Sequence, residues 1–339
     1  MHSVSILNII KMIKNAAKYI SLILLSGIII QIYSCRTIHD LYVNVGMNFS
    51  EPAKIPDKIK DPVNKNARLS ALWVGHATVL IQMDDKQILF DPFFTDNSGG
   101  IQRRLYEPGI ELSNIKKCDL ILLSHSHFDH LNFGTLSLLE EKFPGIPLIF
   151  PEGLEEFLPD YNFDLRKMKM GNRIQGKFVG ETKIISGVKI TTVYAYHWGG
   201  RYGLDGLIWR HDAYTGYILE YNGMTVYFSG DTAYDHKFYK FLGNNYKIDL
   251  ALIPIGPCSE CNKIDKPDRH VYPKGALMIL NDLKTNCMIP IHYGTLYELS
   301  EDPQEPRYVL QELIGSDKNY LAKVRILRIG EQTEIINKK

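Results

Sequence analysis

Ser124-His125-Ser126-His127-Phe128-Asp129-His130 follows directly on Asp119-Leu120-Ile121-Leu122-Leu123, a continuous apolar run of the kind that forms a strand buried on both faces. Residues i and i+2 of an extended segment point the same way, so His125 and His127 can grip one cation. Asp129 and His130 follow as the chain turns and can reach a second cation beside it. Three imidazoles and a carboxylate in six residues form a nitrogen- and oxygen-rich donor set, which suits Zn²⁺, with Mn²⁺ or Fe²⁺ as the other candidates. A lone histidine is usually a satisfied core or surface group. Four ligand-type residues at one strand's C-terminal end are not explained that way.

Working outward, more donors stand at similar strand ends. His197 follows Val193-Tyr194-Ala195-Tyr196, Asp231 follows Val226-Tyr227-Phe228-Ser229-Gly230, and His292 follows Met288-Ile289-Pro290-Ile291. The strands come in two sets. Leu69 to Val74, Thr78 to Gln82 and Ile88 to Phe90 read as one meander, continued by residues 119–123, a helix over Leu136 to Phe143 and a strand over Pro147 to Phe150. A second meander runs through Lys177 to Val179, Thr182 to Ile185, Val188 to Tyr194, Gly216 to Glu220 and Met224 to Phe228. Strand Leu250 to Pro254, a helix from Pro273 to Leu283, strand Met288 to Ile291 and a tail strand Lys323 to Leu327 complete it. Two sheets covered by helices, in one mixed α/β (α+β) domain, are expected.

In order and context, His125-x-His127-x-Asp129-His130, His197, Gly230-Asp231-Thr232 and His292 resemble the metallo-β-lactamase superfamily of binuclear hydrolases. Trp73-Val74-Gly75-His76-Ala77-Thr78, Phe90-Asp91-Pro92, His197-Trp198 and Ile291-His292-Tyr293-Gly294 resemble the branch that contains N-acyl-phosphatidylethanolamine-hydrolysing phospholipase D. The resemblance spans roughly residues 69–330 and implies a four-layer αββα sandwich with two Zn²⁺ at one edge. It implies that His125, His127 and His197 hold one metal, that Asp129, His130 and His292 hold the other, and that Asp231 bridges them. It also implies catalytic roles for Asp129 and Asp231, hydroxide stabilised by two cations being the nucleophile. His270 stands upstream of the helix leading to His292 as a histidine does in the phospholipase branch, and is a third catalytic candidate; the bland alternative is a surface group at that helix start. Asp91 is expected to fix the tautomer of a ligand imidazole. For His76 a similar role and a buried structural hydrogen bond both stay open.

The favoured substrate is a lipid phosphodiester or a small-molecule one; a lactone or amide on the same metals, or a metal-binding protein without catalysis, are the alternatives. β-Lactam hydrolysis fits less well, because Asp231 supplies an oxygen bridge that the zinc β-lactamases lack. Tyr194, Tyr196, Trp198, Tyr202, Trp209, Tyr234 and Tyr293 could border a groove or fill a core. Arg201 and Arg210 could hold a phosphate or serve a solvated face.

The first 34 residues carry Lys11, Lys14 and Lys18, no Asp, Glu or Arg, and an apolar stretch from Ile20 to Tyr33 that is short for a membrane span. Ile32-Tyr33-Ser34-Cys35 resembles a bacterial lipobox. The expected organisation is therefore a lipoprotein-type signal over 1–34, a tether over 35–66 and the hydrolase domain over 67–339. Lipidated Cys35 would anchor the body to a membrane at the cell envelope, on a periplasmic or outer-membrane face. Without residues 1–34 the net charge moves from +1 to −2, which argues against nucleic acid as a partner. No motif sets an oligomeric state. Cys258 and Cys261 have redox-pair spacing, to be read as a local disulfide or two free thiols.

Overall fold

Alternation along the early strands decides which side chains meet. The computed structural model describes residues 51–339 except 101, 175, 203–211, 267, 268, 298–301, 316 and 339. The signal segment, Cys35, Trp209 and Arg210 therefore lie outside the described residues. In β1 (Ala67–Gly75), β2 (Thr78–Met83) and β3 (Lys86–Phe90), the residues Leu69, Ala71, Trp73, Val79, Ile81, Ile88 and Phe90 share one apolar cluster, while Leu72, Val74, Leu80 and Leu89 join another. Both faces of this sheet are thus buried, and a period-2 pattern becomes nearly continuous apolar sequence. Further strands are β4 (Leu120–Leu122), β5 (Pro147–Pro151) and β6 (Asp164–Met168). The second sheet is built from β7 (Val179–Ile185), β8 (Val188–Val193), β9 (Gly216–Tyr221), β10 (Met224–Phe228), β11 (Leu250–Pro254) and β12 (Met288–Ile291), and β13 (Gln332–Asn337) returns to the first.

The first sheet runs β13-β1-β2-β3-β4-β5-β6 and the second β12-β11-β10-β9-β8-β7. Each is an antiparallel meander that turns parallel: β3, β4, β5 and β6 in one, β10, β11 and β12 in the other. Between the sheets Phe90 and Phe228 meet with ring centroids 4.6 Å apart. Helix α1 (Phe133–Lys142), capped by the Asn132 side chain, lays Leu136 and Leu139 on the outer face of the first sheet. Helices α2 (His236–Asn245) and α3 (Pro273–Leu283) bring Phe238, Leu242, Ile279 and Leu280 to the second. The αββα expectation is thereby met.

Several boundaries differ from the sequence reading. Residues 323–327 are not a strand: α5 (Lys318–Lys323) ends there, Val324 makes one bridge to Met288, and the closing strand is β13. Helices α2 and α4 (Glu305–Gly315) and strand β6 were also not anticipated. Residues 51–66, expected as the end of a tether, group with the body from Glu51 onward: Ala53 pairs with Tyr106, and Lys58 bridges Glu107 at 2.8 Å.

Candidate metal centre

Strand ends from both sheets converge on one buried cluster. His125, His127, Asp129 and His130 follow β4; His197 follows β8, Asp231 follows β10 and His292 follows β12. Ligand atoms of His125, His127, His197 and Asp231 lie within 4.8 Å of one another, as do those of His76, Asp129, His130 and His292. These are the two expected triads, with Asp231 beside the first and His76 joining the second. Asp231 Oδ2 stands between them, 3.7 Å from His125 Nε2, 3.9 Å from His197 Nε2, 3.3 Å from His130 Nε2 and 3.2 Å from His292 Nε2.

The outer hydrogen bonds fix which nitrogens face inward. Asp91 is fully buried and accepts from the Ser124 backbone N–H at 2.6 Å, the Ser124 hydroxyl at 2.5 Å and His130 Nδ1–H at 2.6 Å. With its hydroxyl committed to Asp91, Ser124 Oγ accepts from His125 Nδ1–H at 2.9 Å. His197 Nδ1–H donates to the Arg269 carbonyl at 2.9 Å. The inward Nε2 atoms of His125 and His197 therefore carry lone pairs, and His130 turns its Nε2 inward, where it ligates once deprotonated. Yet His125 Nε2 faces His127 Nδ1 at 2.8 Å, His197 Nε2 faces the same atom at 3.3 Å, and His130 Nε2 faces His292 Nε2 at 3.1 Å. Buried Asp231 Oδ1 has no hydrogen-bond partner. Imidazole nitrogens and carboxylate oxygens crowded into one buried space, with Asp231 Oδ1 unpartnered, are a donor set for cations, and the residues fit two of them.

Electrostatics agree. Burial pulls His125 and His197 well below the ordinary imidazole range, His127 to about 4 and His76 to about 3, so they are neutral, the form that ligates. Burial also opposes charge on His130 and His292, but Asp231 and Asp129 outweigh it, raising His130 well above its usual value and His292 to about 9. Burial likewise works against charge on Asp129 and Asp231, and the neighbouring imidazoles overcome it, holding both carboxyls well below the carboxylate range.

The remaining sequence candidates sort cleanly. His76 Nε2 lies 2.7 Å from Asp129 Oδ2, and its backbone N–H donates to Thr295 Oγ1 at 2.7 Å. Asp91 takes the expected place behind His130. His270 joins the cluster, its Nδ1 3.6 Å from Asp231 Oδ2, and burial lowers it to about 4. Arg201 neither holds a phosphate nor serves a solvated face. It is 5% exposed, Nη1 donates to the Ser126 and Leu131 carbonyls at 2.8 Å each, and the guanidinium lies over the Phe128 and Phe133 rings. It holds the ligand loop, a role visible only once the loop is folded. Of the aromatics, Trp198 sits against His127, with ring centroids 4.6 Å apart, whereas Tyr194 and Tyr293 are core residues. Sequence reading missed Arg104, which is fully buried and donates to the Phe93, Val74 and Tyr106 carbonyls beneath the His76 turn. Cys258 and Cys261 form a disulfide.

Comparison with known proteins places these observations. The family model for the β-lactamase superfamily domain matches residues 86–293. A UPF0173 metal-dependent hydrolase of Pyrococcus abyssi is 30% identical over 267 residues, covering 78% of this chain and 98% of that protein. N-acyl-phosphatidylethanolamine-hydrolyzing phospholipase D 1 of Caenorhabditis elegans is 27% identical over 269 residues, 76% of this chain and 72% of that one. An uncharacterized protein of Mycobacterium tuberculosis is 26% identical over 70% of this chain, and the match spans only 61% of its length. Among solved structures, a metallo hydrolase from Ignicoccus hospitalis superposes with a TM-score of 0.55 at 21% identity, covering 78% of this chain and 97% of that one.

Proposed function

This chain belongs to the β-lactamase superfamily and is a metal-dependent hydrolase, and we propose that it is a binuclear Zn²⁺ phosphodiesterase of the phospholipase D type, acting on N-acyl-phosphatidylethanolamine-like lipids at the cell envelope. The observation that carries the reading is the position of Asp231 Oδ2 between two nitrogen-rich groups, within 3.9 Å of an imidazole of each. His125, His127 and His197 would hold one cation, and Asp129, His130 and His292 the other. Bound there, two cations supply Lewis acidity: they lower the pKa of water and offset charge gathering on phosphoryl oxygens.

The chain's own groups do the rest. Asp129, held by His76 through Oδ2, orients the attacking water and takes its proton. Trp198, half-buried against His127, borders the approach to the metals. His270 has a side chain 19% exposed and an Nδ1 without a hydrogen-bond partner, and it lies outside the two triads, so it is placed to touch substrate beside them. Water attacks phosphorus, the bond from phosphorus to the N-acylethanolamine oxygen breaks, and that oxygen leaves as the alcohol by taking up the proton Asp129 removed from water, so that a phosphatidic acid remains. The sequence up to Cys35 supports a lipid anchor that keeps the domain at a membrane, where such a substrate lies.

The test is metal analysis of the full chain purified without chelator, paired with turnover of bis(p-nitrophenyl) phosphate and of N-acyl-phosphatidylethanolamine vesicles by wild type and Asp231→Ala. About two Zn²⁺ per chain, with turnover of both substrates lost in the variant, is the expected result. Two metals without turnover would move the substrate class to lactones and amides. No bound metal would overturn the reading.

A further inference from the structure

A second cavity lies apart from the metal-ligand atoms. It measures about 410 Å³ and is bounded by residues 55–58, by the loop 327–331 and by the start of α4. That size falls within the range of small-molecule sites. At its base Trp73 and Tyr293 stack, ring centroids 4.8 Å apart, and Leu327, Ile329 and Ile55 add apolar wall.

The charged groups of this cavity are not equivalent. Lys58 is committed to Glu107 and Glu111, Arg328 to Glu331, and the Asp57 carboxylate stands on the same wall as Lys58. Arg307 is different. Its Nε is buried without a hydrogen-bond partner, and among the described residues no carboxylate forms an ion pair with its guanidinium. A guanidinium is a planar fork of donors matched to carboxylate or phosphate oxygens, and a buried Nε–H left unpaired beside apolar surface carries a cost that such a ligand would remove. The complement of this cavity is therefore a molecule with one anionic head and an apolar body.

We propose that the cavity binds an amphiphilic anion, whose carboxylate or phosphate head pairs with Arg307 and whose chain lies along Leu327, Ile329 and the Trp73–Tyr293 stack. The site does not depend on what the metal centre hydrolyses. It shares one wall with that centre, since Tyr293 directly follows His292.

The experiment is calorimetric titration of the full chain with decanoate, decyl phosphate, decanol and inorganic phosphate, each below its micelle concentration, for wild type, Arg307→Gln and Arg307→Lys. Both amphiphilic anions are expected to bind wild type at least about tenfold more tightly than decanol, the size of one charge-assisted hydrogen bond. Arg307→Gln should remove that advantage while leaving decanol binding, which doubles as the check that the variant is folded; Arg307→Lys should restore part of it. Anion binding at the metals is untouched by these substitutions, so only the increment lost with Arg307 counts, whatever the hydrolase assay gives. Comparison of decanoate with decyl phosphate assigns the head group. Equal binding of decanol and the anions, equal binding of inorganic phosphate alone, or an undiminished advantage in Arg307→Gln would each overturn the proposal. So would no binding at all, which would leave the cavity filled by the chain itself.

Discussion

Asp91→Asn isolates the network behind the metals. The substitution keeps shape and removes charge, in a side chain that is fully buried and receives three donors: Ser124 N–H, Ser124 O–H and His130 Nδ1–H. Asparagine has one acceptor oxygen, and its NH₂ must oppose at least one of those donors. Hydrogen bonds to a charged group are worth about 1.5–3 kcal/mol each, so losing one or two costs the fold about 1.5–6 kcal/mol. The effect on metal is separable. Asp91 fixes His130 directly and His125 through Ser124 Oγ, so each triad loses the partner that turns one lone pair inward. Outer-shell losses of this kind weaken metal binding about 10–100-fold, or about 1.4–2.8 kcal/mol. Competition with a calibrated chelator should show both cations weakened, while turnover at saturating Zn²⁺ falls far less than affinity. Affinities within twofold of wild type, in a variant that melts normally, would refute the claim that Asp91 sets these tautomers.

Three further outcomes are expected. On the proposed reading, in which His270 contacts substrate and the two triads hold the metals, His270→Ala should keep full metal content yet lose at least about tenfold in kcat; unchanged turnover would make it a bystander, and lost metal would make it a ligand. Phe228→Ala, emptying a fully buried position against Phe90 between the sheets, should lower stability by about 3–5 kcal/mol in urea unfolding. Metal loading should release protons near neutral pH, because His130 and His292 are raised above their ordinary values, His292 to about 9, and must deprotonate to ligate. The sign follows: affinity rises with pH toward 9 and falls in acid, and a pH-stat titration without proton release would contradict it.

How much of this was legible in the sequence depended on range. The donors at strand ends could be read because each follows a run whose own composition demands burial, and Asp91 because Asp-Pro after a strand places a carboxylate at the same edge. His76 was ambiguous, since its role depends on Asp129, 53 positions away. Arg201 was misread because its partners are the Ser126 and Leu131 carbonyls, and no sequence pattern marks an acceptor on the backbone. β13 was missed for the opposite reason. Gln332–Asn337 is only half-buried and carries Gln, Thr, Glu and Asn, whereas 323–327 offered Val324, Ile326 and Leu327, apolar residues that pack without a ladder. Helix α2 packs Phe238, Tyr239 and Leu242 after an Asp235 cap, an aromatic-rich run too short for period alone to decide.

The return of β13 to the first sheet has a consequence during synthesis. β1 lies between β2 and β13, and Leu72 finds its partner only at Gln332, so 260 positions must be added after Leu72 before that ladder can close. At about 5–20 residues per second this takes roughly 13–52 s. Throughout that interval β1, a strand buried along almost its whole length in the finished domain, presents an open edge able to pair with another nascent chain. Wherever the domain folds, that edge of β1 closes last, so the C-terminal segment of the chain decides when the first sheet is complete.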